Sequence, residues 1–237
     1  FNTMAVRLQN LIDSQKQLMA NVSHELRTPL TRLQLAVALV EHQLNTQSDG
    51  GLSNFDTKHL SRIENEIVKM DQMIGQVLTL AKINASQQRI ELQEMTLVSV
   101  LEGVLQDARF EARAMNKTLI VGTIPDISIN ADMPLFISAI ENIVRNAIRF
   151  AVKEVSCELN IVSNSLAIDF VEIVINDDGV GMSATELKTV FDPFFRGSHQ
   201  VHEVSKGAGL GLSIAKAAIE MHGGSIQVKA RFDKDIS

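Results

Sequence analysis

Residues 22–30 read VSHELRTPL and lie in the middle of a long apolar repeat. On both sides of this stretch, apolar residues recur at steps of three or four with one gap of seven, which places them on one face of a helix. The repeat comprises Leu8, Leu11, Leu18, Val22, Leu26, Leu30, Leu33, Val37, Val40 and Leu44. Pro29 could begin a second helix capped by Thr28. Because the repeat keeps its phase across Pro29, we instead expect one helix over about residues 4–44, kinked at the proline.

His24 and Thr28 lie one turn apart on the same side of this predicted helix. The neighbouring carboxylate of Glu25 can polarise an imidazole nitrogen or accept its proton. A zinc protease is excluded, because its pattern requires a second histidine where this chain has Thr28. A lone histidine on a helix is most often an ordinary surface or core residue. The case for a reactive His24 therefore depends on the second half of the chain, which has the pattern of a nucleotide site without an acceptor of its own.

A second apolar repeat follows a polar, glycine-bearing connector at residues 46–54. It comprises Leu60, Ile63, Ile67, Met70, Ile74, Val77, Leu78 and Ala81. Two long helices joined by a short connector predict an antiparallel hairpin. Because a hairpin alone cannot cover both apolar stripes, we expect two copies to form a four-helix bundle. Packing of the hairpin against the rest of the chain is the alternative.

The composition is that of a globular protein, with 45% hydrophobic and 21% charged residues. A net charge of −6 and the absence of Trp and Tyr argue against a nucleic-acid surface, which needs basic and stacking side chains. The single cysteine, Cys157, excludes an internal disulfide framework and fits a reducing compartment. No apolar run reaches the roughly 18 residues of a membrane span. Because the sequence starts at Phe1 rather than Met, we expect an excised fragment.

From residue 89 onward, helical patterns alternate with short β-like runs. Strands are predicted at residues 117–121, 127–131, 155–162, 167–176 and 225–230, and helices at residues 98–115, 134–150 and 210–222. This mixture predicts a two-layer α/β sandwich. A chain of 237 residues can bury the cores of two modest domains. The predicted fold class is therefore α plus α/β, a helical hairpin followed by an α/β domain.

Two polar segments of this second half have the chemistry of ligand sites. Asn142 and Asn146 lie one turn apart on a predicted helix, and amide oxygens suit a Mg²⁺ ion that also holds phosphates. Asp177, Gly179 and Gly181 follow a strongly apolar predicted strand. A carboxylate there can accept a hydrogen bond from an exocyclic amine, and the glycines let the backbone approach a ring closely. The alternative is an ordinary β-turn, since Asp-Gly pairs mark hairpins.

Two further segments add a phosphate cradle and a lid. Gly207, Gly209 and Gly211 alternate at a predicted helix start, where backbone N–H groups and the helix dipole can hold a phosphate. The dinucleotide fingerprint is excluded because no strand precedes these glycines, and the P-loop is excluded because no Gly-Lys-Ser/Thr is present. Residues 191–196, FDPFFR, lie in a stretch of about 25 residues typical of a lid over a ligand. An aromatic core for a loop is the alternative.

The order and spacing of these segments resemble the sensor histidine kinases of two-component signalling. Residues 23–30 resemble the phospho-acceptor box and residues 142–146 the N box. Residues 177–181 resemble the first glycine box, residues 191–196 the F box and residues 207–211 the second glycine box. The resemblance covers nearly the whole chain and is nearest to the envelope-stress sensor type of Gram-negative bacteria. Residues 1–4 resemble the end of a HAMP linker, which normally follows a membrane span.

The resemblance implies a two-layer ATP-binding domain of the gyrase, chaperone and kinase superfamily (Bergerat or GHKL type), with ATP and Mg²⁺ as cofactors. It implies that Asp177 contacts the adenine amine, Asn146 holds Mg²⁺, Arg149 reaches the phosphates and Phe150 lies against the base. The motifs carry over eight further nucleotide-binding residues, Asn142, Gly179, Gly181, Arg196, Gly207, Gly209, Leu210 and Gly211.

Asn142 stands where hydrolysing members of that superfamily carry a glutamate that activates water. Because an amide cannot act as a base, slow hydrolysis and transfer to His24 are expected. Glu141 lies about 100° around the helix and should not substitute. Two features depart from the family: Ala208 stands where many relatives carry Thr, and the chain ends where relatives continue into one further strand. We therefore expect an incomplete sheet or a disordered C-terminus.

We expect three regions: the end of a linker and the start of the first helix at residues 1–15, a dimerisation and phosphotransfer domain at 16–85, and a catalytic ATP-binding domain at 89–237. By the resemblance, His24, Glu25 and Thr28 are catalytic, and the chain both phosphorylates and dephosphorylates a response regulator. Its expected partners are a second copy and a receiver domain, not nucleic acid. The expected location is the cytoplasmic portion of a bacterial inner-membrane sensor, with the membrane reached only through N-terminal segments outside this chain. The alternatives are an ATPase clamp of the superfamily and a helical scaffold with a degenerate nucleotide domain.

Overall fold

The computed structural model describes residues 2–46, 54–85, 90–163, 169–197 and 207–230. The chain divides into two compact units. One contains residues 1–79 and 205–208, and the other contains residues 80–204 and 209–237. In the described residues, no helix is long and apolar enough to cross a membrane.

Two long helices precede all the strands. The first, α1, spans Asn2–Thr46, and the second, α2, spans Asn54–Ala85. Helix α1 continues through Pro29, so the prediction of a single helix is confirmed and Pro29 does not begin a second one. The loss of a helical hydrogen bond at the proline is tolerated because the rest of the helix is long and keeps its remaining ladder intact.

A charged cluster joins α1 to α2. Glu66 of α2 is 5% exposed, and its carboxylate accepts a hydrogen bond of 2.8 Å from Lys69 Nζ. The same Oε1 atom lies 3.9 Å from Nη1 of Arg32 on α1. A buried carboxylate needs such partners because an unpaired charge away from water is costly. Arg32 and Glu66 lie at similar distances from the connector, as an antiparallel hairpin requires.

The apolar repeat of α2 is divided between two faces. Ile63, Met70 and Val77 are half-buried, whereas the remaining members are exposed: Leu60, Ile67, Ile74, Leu78 and Ala81. On α1 the described members of the repeat are half-buried except for Leu30, which is exposed; they are Val22, Leu26, Leu33, Val37 and Val40. The side chains of Leu8, Leu11, Leu18 and Leu44 lie outside the described residues. One face of α2 therefore stays apolar and open in the single chain.

The second half of the chain has an α/β fold. Its elements, in chain order, are β1 Gln93–Thr96, α3 Leu97–Ala114, β2 Thr118–Val121, β3 Ser128–Ala131, α4 Met133–Phe150, β4 Glu154–Ser163, β5 Asp169–Asp177, α5 Glu186–Thr189 and α6 Gly211–Met221. Strands β1 and β3 form an antiparallel pair. In the other sheet, β4 is central, parallel to β2 and antiparallel to β5.

The core lies between the helices and one face of the larger sheet, which confirms the predicted two-layer sandwich. Helices α3 and α4 supply most of it, and α6 packs against α4. Its fully buried residues include Leu97, Leu101, Leu105, Val144, Ile148, Val155 and Cys157. Burial raises the pKa of the Cys157 thiol to about 11, so this cysteine is an unreactive core residue.

The structure differs from the sequence predictions at two places in this half. Strand β1 was missed because its four residues, of which only Met95 is half-buried, show no apolar alternation. The strand predicted at residues 225–230 was wrong, since these residues have no β structure in the described chain. A strand needs a hydrogen-bonded neighbour, and no described strand pairs with this segment. Residues 167–168 of the strand predicted at 167–176 lie outside the described residues.

Candidate nucleotide site and phospho-acceptor helix

Helix α4 carries four of the predicted site residues and is capped at both ends. At its beginning, Asp132 Oδ1 accepts a hydrogen bond of 3.2 Å from the Leu135 N–H, an N-cap of ordinary chemistry. At its end, Lys117 Nζ donates to the carbonyl oxygens of Ile148 and Arg149, at 2.7 and 3.0 Å. A cation there satisfies carbonyls that have no helical partner and complements the helix dipole. The end of α4 is therefore held by a group that the sequence analysis did not identify.

The first glycine box lies directly against that end of α4. Strand β5 ends at Asp177, whose Oδ1 atom accepts a hydrogen bond of 2.9 Å from the Gly179 N–H. A Cβ atom at Gly179 would lie 2.6 Å from the Phe150 carbonyl oxygen, so only glycine fits there. Gly181 has a φ of 71°, which also favours glycine. The structure thus brings Asp177, which is exposed, next to the end of α4.

Asp178, the residue after Asp177, holds the turn that follows α4. Its carboxylate accepts hydrogen bonds from the N–H groups of Val152, Lys153 and Glu154 at 2.7, 3.0 and 3.1 Å. These bonds, that from Lys153 first, lower the pKa of Asp178 below its ordinary value. No role was predicted for Asp178 from the sequence. The adjacent pair of carboxylates was the available signal, since neighbouring residues at a strand end point to different sides.

The two last residues of α4 are in contact with each other. The guanidinium carbon of Arg149 lies 5.1 Å from the centroid of the Phe150 ring, within the range of a cation–π interaction. Both side chains are half-buried. The predicted roles of Arg149 at phosphates and Phe150 at a base remain predictions, and the contact shows that the two side chains share one side of the helix end.

The asparagines of the N box differ in their surroundings. Asn142 Nδ2 donates to the Ser138 carbonyl oxygen at 2.8 Å, and a Cβ atom at Gly211 would lie 2.8 Å from Asn142 Oδ1. Asn142 therefore packs against the first residue of α6. Asn146 is half-buried, and its amide has no hydrogen-bond partner among the described residues, so its oxygen is available to a ligand. Helix α4 contacts both glycine boxes, Gly179 through Phe150 and Gly211 through Asn142.

The F box and the second glycine box pack on each other. The Phe194 N–H donates to the Gly209 carbonyl oxygen at 2.9 Å. A Cβ atom at Gly209 would lie 2.6 Å from the Phe195 carbonyl oxygen, and Gly209 has a φ of 72°. Gly207 also has a left-handed conformation, with a φ of 86°. Backbone geometry therefore favours glycine at both positions, and the phosphate cradle remains a prediction.

Helix α6 begins at Gly211 without a side-chain cap, so its first N–H groups are not satisfied by a capping side chain. Leu210 is 0% exposed, and its predicted contact with the nucleotide remains a prediction. Ala208 is buried, and Arg196 is exposed. Residues 198–206, which connect the F box to this glycine box, lie outside the described residues.

The donor set of α4 fits a Mg²⁺ ion that is shared with a nucleotide. Mg²⁺ is commonly held by one or two protein oxygens together with phosphates and water, and not by an all-protein cage. The unbonded Asn146 amide offers such an oxygen. Among the described residues, no group of three or more His, Cys, Asp or Glu side chains could hold a metal on its own. The phosphates of a bound nucleotide would have to complete the coordination.

The predicted phospho-acceptor lies on the surface of α1. The side chain of His24 is 76% exposed, and its Nδ1 atom lies 3.7 Å from Oε1 of Glu25. Thr28 is exposed one turn later. The Ser23 hydroxyl instead donates to the Met19 carbonyl oxygen at 2.8 Å, so it is engaged with its own helix. The His24 imidazole is thus accessible to another molecule. The Glu25 carboxylate lies beside Nδ1, the nitrogen that would carry the ring proton.

Two family profiles match the two halves of this chain. Residues 14–86 match the His Kinase A (phospho-acceptor) domain. Residues 131–235 match the family described as histidine kinase-, DNA gyrase B- and HSP90-like ATPase. The first match includes His24, Glu25 and Thr28, and the second includes α4 and both glycine boxes.

Several proteins of known name are similar along almost the whole chain. The sensor histidine kinase CpxA of Escherichia coli K12 is 35% identical, covering 97% of this chain and 47% of the relative. The sensor histidine kinase CpxA of Klebsiella pneumoniae is 34% identical, covering 96% and 47%. The chain thus spans about half the length of the curated relatives it matches. The solved structure of the Acinetobacter baumannii histidine kinase AdeS has the same fold, with a TM-score of 0.61 and 21% identity over 84% of this chain and 86% of that one.

Proposed function

Because this chain belongs to the sensor histidine kinases, we propose that it binds ATP, phosphorylates its own His24 and passes the phosphoryl group to an aspartate of a response regulator. The observation that carries this proposal is the position of α4, which contacts the first glycine box through Phe150 and the second through Asn142. Helix α4 carries the Asn142 and Asn146 amides. It contacts the turn that follows Asp177 and the uncapped start of α6. The accessible His24 on the other unit supplies the acceptor that this site lacks.

Asp177 reads the adenine amine in this proposal, because an exposed carboxylate at a strand end can accept that hydrogen bond. Phe150 lies against the base, and Arg149 and Arg196 face the phosphates. The N–H groups at the start of α6, with the second glycine box, cradle the phosphates. Asn146 would hold Mg²⁺, which would neutralise part of the phosphate charge.

In the chemical step, the Nε2 atom of neutral His24 attacks the γ-phosphorus of ATP. A P–N bond forms, and the bond from the γ-phosphorus to the bridging oxygen breaks, so that ADP leaves. Glu25, 3.7 Å from Nδ1, takes the proton that the imidazole loses. Arg149 offsets the charge that develops on the transferred group. Asn142 cannot act as a base towards water, so transfer is favoured over hydrolysis.

Two partners follow from this chemistry. A second copy of the chain covers the open apolar face of α2 and completes a four-helix bundle. The receiver domain of a response regulator docks where His24 is exposed and takes the phosphoryl group onto an aspartate. We also propose that Thr28 positions a water molecule for dephosphorylation of that aspartate, since its hydroxyl is exposed one turn from His24.

The relatives are named sensors and are about twice as long as this chain. We propose that this chain is the cytoplasmic portion of an inner-membrane sensor, reaching the membrane through segments outside it. Within it, residues 16–85 form the dimerisation and phosphotransfer domain, and residues 89–237 form the ATP-binding domain. Residues 1–15 end the linker from the membrane.

Incubation with γ-labelled ATP tests the proposed reaction. Label on the protein that is labile in acid and stable in alkali identifies phosphohistidine. Release of free phosphate without labelled protein would instead support an ATPase clamp. Absence of both, together with failure to bind ADP, would support a degenerate scaffold.

A further inference from the structure

At the end of α4 and just after it, main-chain carbonyl and N–H groups have no partner within a helix or a strand ladder. The last carbonyl groups of a helix have no helical donors. The N–H groups of the turn that follows are likewise outside any ladder until the next strand begins. Helix α4 ends at Phe150 and β4 begins at Glu154, so this segment is short and both kinds of group are close together.

Two side chains of opposite charge satisfy these groups. Lys117, before β2, donates to the carbonyl oxygens of Ile148 and Arg149. Asp178, after β5, accepts from the N–H groups of residues 152–154, with bonds of 2.7–3.1 Å. Hydrogen bonds in which one partner is charged are roughly twice as strong as neutral ones. The Lys117 ammonium donates to the carbonyl oxygens, and the Asp178 carboxylate accepts from the N–H groups. Neither side chain can therefore replace the other.

The segment held in this way carries the nucleotide-binding groups. Arg149 and Phe150 are the last residues of α4, and Asn146 lies one turn earlier. The Phe150 carbonyl oxygen faces Gly179 at a distance that excludes a Cβ atom. Asp177 is the residue before Asp178. A small movement of the helix end would therefore change the spacing between Asp177 and the groups on α4.

We propose that Lys117 and Asp178 are positioning residues of the nucleotide site, acting as a paired clamp that fixes the end of α4 relative to Asp177. Neither residue contacts the nucleotide in this account. Lys117 is on the helix-end carbonyls, and all the bonds of Asp178 go to main-chain N–H groups. The inference rests on the proposed nucleotide function and adds the two groups that set its geometry.

Titration of the whole chain with N-methylanthraniloyl-ADP tests the clamp. Lys117→Met and Asp178→Ala should each weaken binding by about fivefold or more, because the site is misaligned. Lys117→Arg should recover binding to within about twofold, since a guanidinium can donate to both carbonyls. Lys229→Met and Asp107→Ala, at exposed positions, are the matched controls and should bind like the parent. All titrations are made where circular dichroism shows every variant folded.

A purely structural role would lower the thermal midpoint and leave the affinity of the folded protein unchanged. That result for Lys117→Met and Asp178→Ala would overturn the proposal. Failure of Lys117→Arg to recover affinity while the fold is intact would also contradict it.

Amide hydrogen exchange in the nucleotide-free protein tests the clamp without any ligand. Asp178→Ala should speed exchange at residues 152–154 by about tenfold or more, because these N–H groups lose their acceptor. Asp177→Asn should leave this exchange unchanged while it weakens nucleotide binding by more than about tenfold, through loss of the adenine contact. Unchanged exchange in Asp178→Ala would overturn the clamp. A parent that binds no nucleotide would refute the proposed function instead, and the exchange result would show that failure separately.

Discussion

Two adjacent aspartates at the end of β5 have different surroundings and, in our proposal, different roles. Asp177 is exposed, and among the described residues its side chain accepts a hydrogen bond only from the N–H of Gly179, so its second oxygen can accept from a ligand. Asp178 is committed to the N–H groups that follow α4. Their side chains point to opposite sides because they are consecutive residues leaving a strand. One can therefore read the ligand, while the other holds the element that carries its neighbours.

Because the pKa of Asp178 is lowered in the folded protein, its contribution to the stability of the fold depends on pH. Its charged form is stabilised in the folded protein, chiefly by the Lys153 N–H, so it stabilises the fold above the ordinary carboxyl pKa of 3.8. That contribution is lost as the pH falls through the lower folded value. Asp178→Ala should thus have a lower thermal midpoint than the parent at pH 7, and the difference should narrow below about pH 4. Thermal melts with Asp107→Ala as control measure this, and a difference independent of pH would contradict it.

Thr28 lies on the exposed side of α1 with His24. Its hydroxyl can hold a water in line with a docked phospho-aspartate. Thr28→Ala should leave labelling of His24 within about threefold and slow loss of phosphate from the regulator about tenfold or more. If Thr28 only supports the helix beside Pro29, both activities and the thermal midpoint should fall together. Equal loss of both activities would therefore refute the water-positioning role.

At the scale of elements, α2 has an apolar face that the single chain leaves open. Leu60, Ile67 and Ile74 recur every seven residues along it and are 40–52% exposed. A heptad spacing of this kind is typical of a helix that packs along another helix. The apolar repeat predicted from the sequence contained the residues of both the exposed and the half-buried face of α2. Apolar spacing alone does not show which neighbour each of these residues packs against.

A charged side chain on the open apolar face of α2 should dissociate the proposed dimer. In light scattering, the parent should have about twice the chain mass of 26.1 kDa, and Ile67→Lys should shift it to the single-chain value at micromolar concentration. Gln72→Lys, at an exposed polar position of α2, adds the same charge and should remain dimeric. A parent of 26.1 kDa would contradict dimerisation.

The long periodic elements could be predicted from sequence, and the short ones could not. Helix α4 was expected at residues 134–150 and spans Met133–Phe150, because a strong apolar stripe defines it. Strand β1 and the 225–230 segment depend on which neighbour pairs with them, and no local pattern encodes that. The partners of Lys117 and Asp178 are likewise main-chain groups distant in sequence, so the pair of adjacent aspartates could indicate two roles but not which groups Asp178 binds.

At the scale of the whole molecule, the proposed acceptor and most of the proposed nucleotide-binding residues belong to different compact units. His24 lies in the helical unit, and α4 with the first glycine box lies in the α/β unit. The two matched families divide the chain in the same order. This separation predicts that phosphoryl acceptance and nucleotide binding can be removed independently, which a single-site ATPase would not allow.

The His24→Gln variant tests most directly whether phosphoryl acceptance can be removed without nucleotide binding. After incubation with γ-labelled ATP, the parent should carry acid-labile, alkali-stable label, and the variant should carry none, because the amide has no nucleophilic nitrogen. The variant should still bind N-methylanthraniloyl-ADP with the parent's affinity to within about twofold, since His24 lies outside the nucleotide site. Label that persists in His24→Gln would place the acceptor at one of the other five histidines and contradict the account.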